Sequence, residues 1–399
     1  MSTNAPAPSS DQTPDPAASP DFDYALVGGG LQNALIALAV LDVRPSARIA
    51  LIEAGPALGG NHTWSFHADD VPPGAERFVD RLVVARWSAQ RVRFPGFERR
   101  LNVPYSSVSS QRLRAELQGQ LDRTGCRIWT GTAALELGPK HVRLATGEVL
   151  TAALVVDARG PSQFESSVAP AYQKFVGLEL ALARPGPWTE PVLMDATVPQ
   201  RDGFRFVYVL PFSPDRVLVE DTYFSDHAAL DIPALRREVL AYAKSAGCEL
   251  ERVVREERGV LPLPLRLPGA PAAHAPLEAG VQGGWFHPTT GYSFPVALRL
   301  ALHVASLPPE RVFGPEFRAL SREHWRQARF ALWLNRLLYG AFAPDQRRHV
   351  LERFYRLPEP TIRRFYALTT TAGDRARILC GRPPRGLSLK VAFSKGIHA

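Results

Sequence analysis

Cysteine is scarce in this 399-residue chain: three residues, Cys126, Cys248 and Cys380. They are far apart, odd in number, and none belongs to a Cys-x-x-Cys pair. This excludes a disulfide framework and a cysteine-held metal cluster, and it fits a reducing cytoplasm. Long apolar runs are also missing. No stretch approaches the roughly 18 uncharged residues that a membrane span needs. The opening stretch, MSTNAPAPSSDQTPDPAASP, has neither a basic nor an apolar signal segment, so it does not read as a signal peptide. Its Pro, Ser and Ala content predicts a disordered tail over residues 1–20, with order from Asp21 onward. There is no internal repeat and no Cys/His metal motif, and only one segment looks fit to cradle a nucleotide.

What is present is apolar content for a large core, 45% of residues, and an uneven charge. The chain carries +8, from 47 Lys and Arg against 39 Asp and Glu. Residues 311–399 hold 18 basic and 6 acidic residues, a net of +12, which leaves −4 for residues 1–310. Such a basic end suits an anionic partner, a membrane surface or nucleic acid; it also suits an Arg-rich solvated helical face.

The first ordered residues read as a βαβ unit. FDYALV is a short buried strand, LQNALIALAVLD a helix, and ARIALIE a second strand. Gly28, Gly29 and Gly30 lie between strand and helix, where glycine permits a tight turn and close approach of a pyrophosphate to the helix N-terminus. The third position of the usual G-x-G-x-x-G spacing is Asn33. Glu53 closes the second strand and is placed to accept from a ribose hydroxyl. Two later stretches, VVDARGPS (with Asp157 and Gly160) and GGWFHPTTGYSFP (with Gly291), sit where FAD-dependent hydroxylase-like proteins place further flavin contacts. Three contacts point to FAD. The Asp usual in the last of them is missing, which argues against an ordinary flavin hydroxylase. Between these stretches, FRFVYVLPF and DRVLVEDTYF read as paired strands, and 233–246 as a helix. From Pro315 the chain reads as helical, with a proline break at 358–360.

At this point the sequence resembles the bacterial lycopene β-cyclases. The resemblance rests on LVGGGLQNALIAL, IEAGPALGGNHTWSFH, VDARG, PVLMDATVPQRDGFRFVYVLPFSPDRVLVEDTYF and GWFHPTTGYSFPVALRLA, in family order. It covers roughly Asp21 to Phe393. It implies a non-redox cyclisation of the ψ-end groups of lycopene, or of related acyclic carotenoids, to β-ionone rings. It also implies reduced FAD as the active cofactor form, with NAD(P)H as reductant. The lipid-dissolved substrate implies peripheral contact with the inner membrane from the cytoplasmic side, with no nucleic acid as partner and other carotenoid enzymes as possible ones. The expected fold is α/β: a Rossmann-like FAD-binding domain, an inserted mixed β-sheet substrate domain, and a C-terminal helical region. The corresponding boundaries are 21–165 and 277–310 for the FAD domain, 166–276 for the insertion and 311–399 for the helices.

The chemistry needs an acid to protonate an end-group double bond, a dry pocket that tolerates a carbocation, and a base. Glu220, ending the apolar run VLV, is the first candidate acid, because a buried carboxyl stays protonated more readily. Its neighbour Asp221 points to the other strand face and is expected to orient the loop or flavin. Asp195 is the second candidate carboxylate, and His62 is placed to take or relay a proton. Gly60 brings backbone amides to the cofactor. Trp64, Phe66, Trp285, Phe286 and Tyr292 are expected to line the pocket, since ring faces stabilise cations. Two rival readings remain: a flavin monooxygenase acting on an apolar substrate, and a carotenoid-binding flavoprotein without turnover.

Overall fold

The computed structural model describes residues 19–123, 125–160, 171–265, 274, 276–381 and 384–387. The expected tail, most of the Pro/Ala-rich stretch 262–276, and the end of the VVDARGPS turn lie outside these residues.

The glycine strand Phe22–Val27 lies at the centre of a seven-stranded sheet. It pairs in parallel with Ile49–Ile52 on one side and with Val149–Asp157 on the other. Arg127–Trp129 extends the first side in parallel, and two short antiparallel strands, Ala134–Leu137 and His141–Leu144, close the second. Leu277–Glu278 returns after the intervening chain to pair with the end of Val149–Asp157. That brings the GGWFHPTTGYSFP loop back to the glycine turn.

Helix Leu31–Val43 is buried from Leu31 to Leu41. An apolar sequence on all faces requires cover on all faces, and this helix is sandwiched between the sheet and helix Phe294–Ser306. The amide of Gln32 donates to the carbonyl of Ala297 and fixes the two helices in register (3.0 Å).

The second sheet also has seven strands, in the order Leu250–Leu263, Ala171–Leu182, Arg216–Ser225, Phe204–Ser213, Val192–Asp195, Gln90–Phe94, Phe97–Leu101. All its pairings are antiparallel except that of Val192–Asp195 with Gln90–Phe94. The hairpin at 90–101 comes from within the stretch 21–165. The chain therefore enters the second sheet before residue 166, where Gln90–Phe94 pairs in parallel with Val192–Asp195. A small antiparallel sheet of Thr63–His67, Tyr105–Ser109 and Val83–Trp87 stands beside the two large ones.

The chain after 314 forms helices Pro315–Ala341, Arg347–Phe354, Glu359–Tyr366 and Ala372–Leu379. The helices are interrupted between Phe354 and Glu359, at the expected proline break; Pro358 precedes the third helix and Pro360 lies in its first turn, so the pair also starts the helix that follows. Two histidines dock these helices. His287 donates from Nε2 to the carbonyl of Phe365 (2.9 Å) and accepts at Nδ1 from the amide of Thr289 (3.1 Å). His324 donates to the carbonyl of Gly284 (2.8 Å) beneath the Trp285 ring.

Candidate active site

One cavity of about 1320 Å³ runs from the glycine turn, across the second sheet, to the C-terminal helices. At its first end, Gly28 has φ +100, and a Cβ there would stand 2.5 Å from the carbonyl oxygen of Ala158, so only glycine fits. Gly30 faces open space and lines the cavity. Asn33 replaces the third glycine by bonding inward: its amide donates to the carbonyls of Val27 and Gly28 (both 2.9 Å) and ties the turn to the helix. Glu53 accepts from the backbone amides of Gly29 (2.7 Å) and Gly55 (2.6 Å) and faces the cavity. The N-termini of helices Leu31–Val43 and Phe294–Ser306 both reach the cavity without a side-chain cap, leaving amide donors directed at it.

Asp157 is turned away. Its carboxylate takes a bidentate pair from Arg159 (2.9 and 2.8 Å), and Arg159 and Gly160 form the wall instead. Gly60 and Gly291, both at positive φ, lie on the wall as expected. The amide oxygen of Gln173 beside Gly291 and the indole N–H of Trp285 are buried without a protein partner, and both residues line the cavity.

The floor is one face of the second sheet. Gln173, Phe175, Phe206, Tyr208, Glu220, Phe224, Glu257 and Leu261 project from it. Glu220 is buried and accepts from the hydroxyl of Thr222 (2.7 Å). Burial, then the neighbouring Glu257 carboxylate, raise its pKa to about 8, so it holds its proton at neutral pH. Tyr208 sits opposite Glu220 in the strand register. Its hydroxyl joins a chain with Tyr105 (3.1 Å), Ser65 (3.1 Å) and Ser107 (2.7 Å, from Ser65). The roof is apolar, built from Leu334, Leu338, Val350, Leu351 and Phe354 of the C-terminal helices. It extends to Leu379 and Leu387, each 44% exposed.

The other expected catalytic carboxylates are elsewhere. Asp221 alternates to the opposite strand face. There it binds Arg205 bidentately (2.8 and 3.0 Å) and accepts from Tyr223 (3.1 Å). Asp195 accepts from Arg93 (3.0 Å), Tyr242 (2.8 Å) and the backbone amide of Thr197 (3.0 Å). Both hold the fold. His62 lines the cavity, with burial lowering its pKa, and packs near Trp64. Trp64, Trp285 and Tyr292 face the cavity, the last donating its hydroxyl to Asp70 (2.6 Å). Phe66 does not: it stacks on Phe294 (4.1 Å between rings) inside the first core, and Phe286 is buried off the wall. Glu257, Tyr105, Tyr208 and the apolar roof were not found from sequence. Glu257 lies in LERVVREERGVLPL, where charge masks the strand.

Two buried layers, a glycine turn and a cavity at their junction define a dinucleotide-type α/β fold of the flavin-monooxygenase-like class. The structure superposes on a probable FAD-dependent monooxygenase from Pseudomonas aeruginosa with a TM-score of 0.54 and 18% identity, covering 79% of this chain and 95% of that one. Within that class the chain belongs to the family described as "Lycopene cyclase protein", whose profile matches residues 23–391. It is 43% identical over 371 residues to the lycopene beta-cyclase of Pantoea ananas, covering 92% of this chain and 96% of that protein. It is likewise 43% identical over 375 residues to the lycopene beta-cyclase of Pseudescherichia vulneris, with 91% and 94% covered.

Proposed function

We propose that this protein cyclises the ψ-end groups of lycopene to β-ionone rings, with Glu220 as the general acid. The observation that carries this reading is a buried carboxyl, its pKa raised to about 8, on the floor of a largely apolar cavity continuous with the glycine turn. Glu220 delivers its proton to the terminal double bond of the substrate. The tertiary cation so formed is attacked by the neighbouring double bond, the ring closes, and a proton is lost. No electrons are transferred overall. Rings on the wall, among them Tyr208, Tyr105, Trp64 and Phe175, present faces to the positive charge, and the roof excludes water.

The residues present fit FAD. Gly28 and Gly30 with the first helix N-terminus suit the pyrophosphate, and Glu53 a ribose hydroxyl. Gly60, Gly160, Gly291 and the N-terminus of Phe294–Ser306 suit the ring system. The unpartnered polar atoms of Gln173 and Trp285 are open to the same ligand. Bound in its reduced, anionic form, FAD supplies negative charge that favours the cationic transition state. NAD(P)H is the proposed reductant. The exposed leucines at the roof mark where an apolar substrate enters from a bilayer, which gives the protein a peripheral seat on the cytoplasmic side of the inner membrane. Among the described residues no helix is long and apolar enough to cross a membrane.

The test is expression in a lycopene-accumulating host with chromatographic separation of pigments, followed by anaerobic assays with dithionite-reduced and with oxidised protein. Cyclic product with the reduced form only, and without oxygen uptake, is expected. Oxygen consumed in proportion to product would establish the monooxygenase alternative, and unchanged lycopene a binding protein.

A further inference from the structure

Strand Ala171–Leu182 runs between Arg216–Ser225 and Leu250–Leu263. In its register Gly177 stands opposite Glu220 on one side and opposite Glu257 on the other. A Cβ at Gly177 would lie 3.0 Å from Cγ of Glu257 and 3.4 Å from Cβ of Glu220. The missing side chain is what lets two carboxyls from non-adjacent strands meet across the middle one, within hydrogen-bonding reach of each other. Glu257 is only 2% exposed, and both groups face the cavity.

Their surroundings differ. Glu257 accepts from the Arg255 guanidinium (2.6 Å) and the Thr63 hydroxyl (3.0 Å). Among the described residues Glu220 accepts from the neutral hydroxyl of Thr222 (2.7 Å). Among these residues a guanidinium stands beside Glu257, whereas burial and the facing carboxylate favour the protonated form of Glu220. Arg255 is shared with Glu179 (2.9 Å). His62 approaches from the loop before Thr63, and Tyr208 from the strand beyond Glu220. Asp221 lies behind the sheet with Arg205.

We propose that Glu257 is the base of the cyclisation, forming with Glu220 a one-proton carboxyl pair. This rests on the reading of Glu220 as the acid. Glu220 gives its proton to the inner, CH carbon of the terminal double bond, which leaves the tertiary cation on the carbon that bears the two methyl groups. Ring closure moves the cation to the far carbon of the second double bond. Glu257 then takes the proton from the ring carbon between the two, leaving the ring double bond. The pair has lost one proton and regained one, and transfer from Glu257 to the facing Glu220 restores the starting state. No oxidant or reductant is consumed.

The variants to compare are Glu257→Gln, Glu257→Asp, Gly177→Ala and Glu220→Gln, each assayed for turnover against pH and for thermal melting. Glu257→Gln is expected to lower turnover about 10²–10⁴-fold, the usual worth of a general base. It also removes the anion facing Glu220. The alkaline limb of its residual activity therefore moves down by about one pH unit or more, a shift that a purely structural role does not produce. Glu257→Asp restores part of the rate. Gly177→Ala, which wedges the pair apart, lowers the rate and shifts the limb in the same direction, and it serves as the test if Glu257→Gln melts before assay. Turnover within about 3-fold of the parent with an unmoved limb, in either Glu257→Gln or Gly177→Ala, overturns the pair. Near-normal turnover in Glu220→Gln is a different result: it overturns the acid assignment itself.

Discussion

At the scale of the residue, environment separates carboxylates that look alike in sequence. Glu220 and Asp221 are neighbours on one strand, yet one faces an apolar cavity and the other a guanidinium. Glu220→Gln is expected to keep the fold and lose cyclisation about 10²–10⁴-fold. In the parent, activity is expected to fall as pH rises through about 8, where Glu220 would lose its proton; a rate profile from pH 6 to 10 reads this directly. The stability effect has the same origin. A carboxyl raised in the folded state favours folding at low pH and opposes it increasingly from about 4.5 up to about 8. Glu220→Gln should therefore gain stability relative to the parent as pH rises from 5 to 9, by about 2–4 kcal/mol at most, measured by denaturant titration at the two pH values. Asp221→Ala has the opposite signature. It removes the bidentate partner of the buried Arg205, 2% exposed, leaving that guanidinium only its bond to Glu238 (2.9 Å) among the described carboxylates, and is expected to cost up to about 3–5 kcal/mol, seen as a fall in melting temperature.

At the scale of the element, the C-terminal helices roof the cavity through neutral histidines. Burial lowers His287 to about 3 and His324 to about 4. A histidine depressed in the folded state contributes stability that is present above its unfolded value near 6.5 and lost as pH falls through the folded one. Docking of the helices is thus expected to weaken between about pH 6.5 and 4. Hydrogen exchange across 315–381 should report this before the strand Phe22–Val27 responds. Early exchange confined to the glycine strand would contradict it. The two helix N-termini at the cavity act in the reverse sense: without side-chain caps of their own, they gain from an anionic ligand.

At the scale of the molecule, the cavity's apolar end is the proposed entry for a lipid-dissolved substrate. Arg326 is paired with Glu323 (2.8 Å), and Arg336 donates to the carbonyl of Leu265 (2.8 Å), so both are committed within the protein. The exposed rim is formed by Leu379 and Leu387, with Arg353 on the cavity wall. Flotation with anionic liposomes is expected, weakened by salt, because arginine near an anionic leaflet contributes about 1 kcal/mol per charge. The double change Leu379→Glu and Leu387→Glu should abolish flotation and leave melting unchanged. Unaltered flotation would place the membrane face elsewhere, with the triple change of Arg326, Arg329 and Arg336 to Glu as the next comparison.

The sequence by itself determined what depends on neighbours along the chain. The glycine turn is legible because strand, turn and helix are contiguous. Strand periodicity in DRVLVEDTYF likewise put Glu220 and Asp221 on opposite faces. The motifs from LVGGGLQNALIAL to GWFHPTTGYSFP placed the chain in its family, as the profile over residues 23–391 bears out. What only the tertiary structure decided depends on register between distant strands. Local pattern could not tell Asp195 in a salt bridge from a carboxylate in a pocket, or Phe66 stacked in the core from Trp64 on the wall. Nor did it pair Glu220 with Glu257, 37 residues further on and one strand removed, because that meeting requires Gly177 between them. A carboxyl's charge state is set by what crosses the sheet to face it, and that is a property of the assembled sheet.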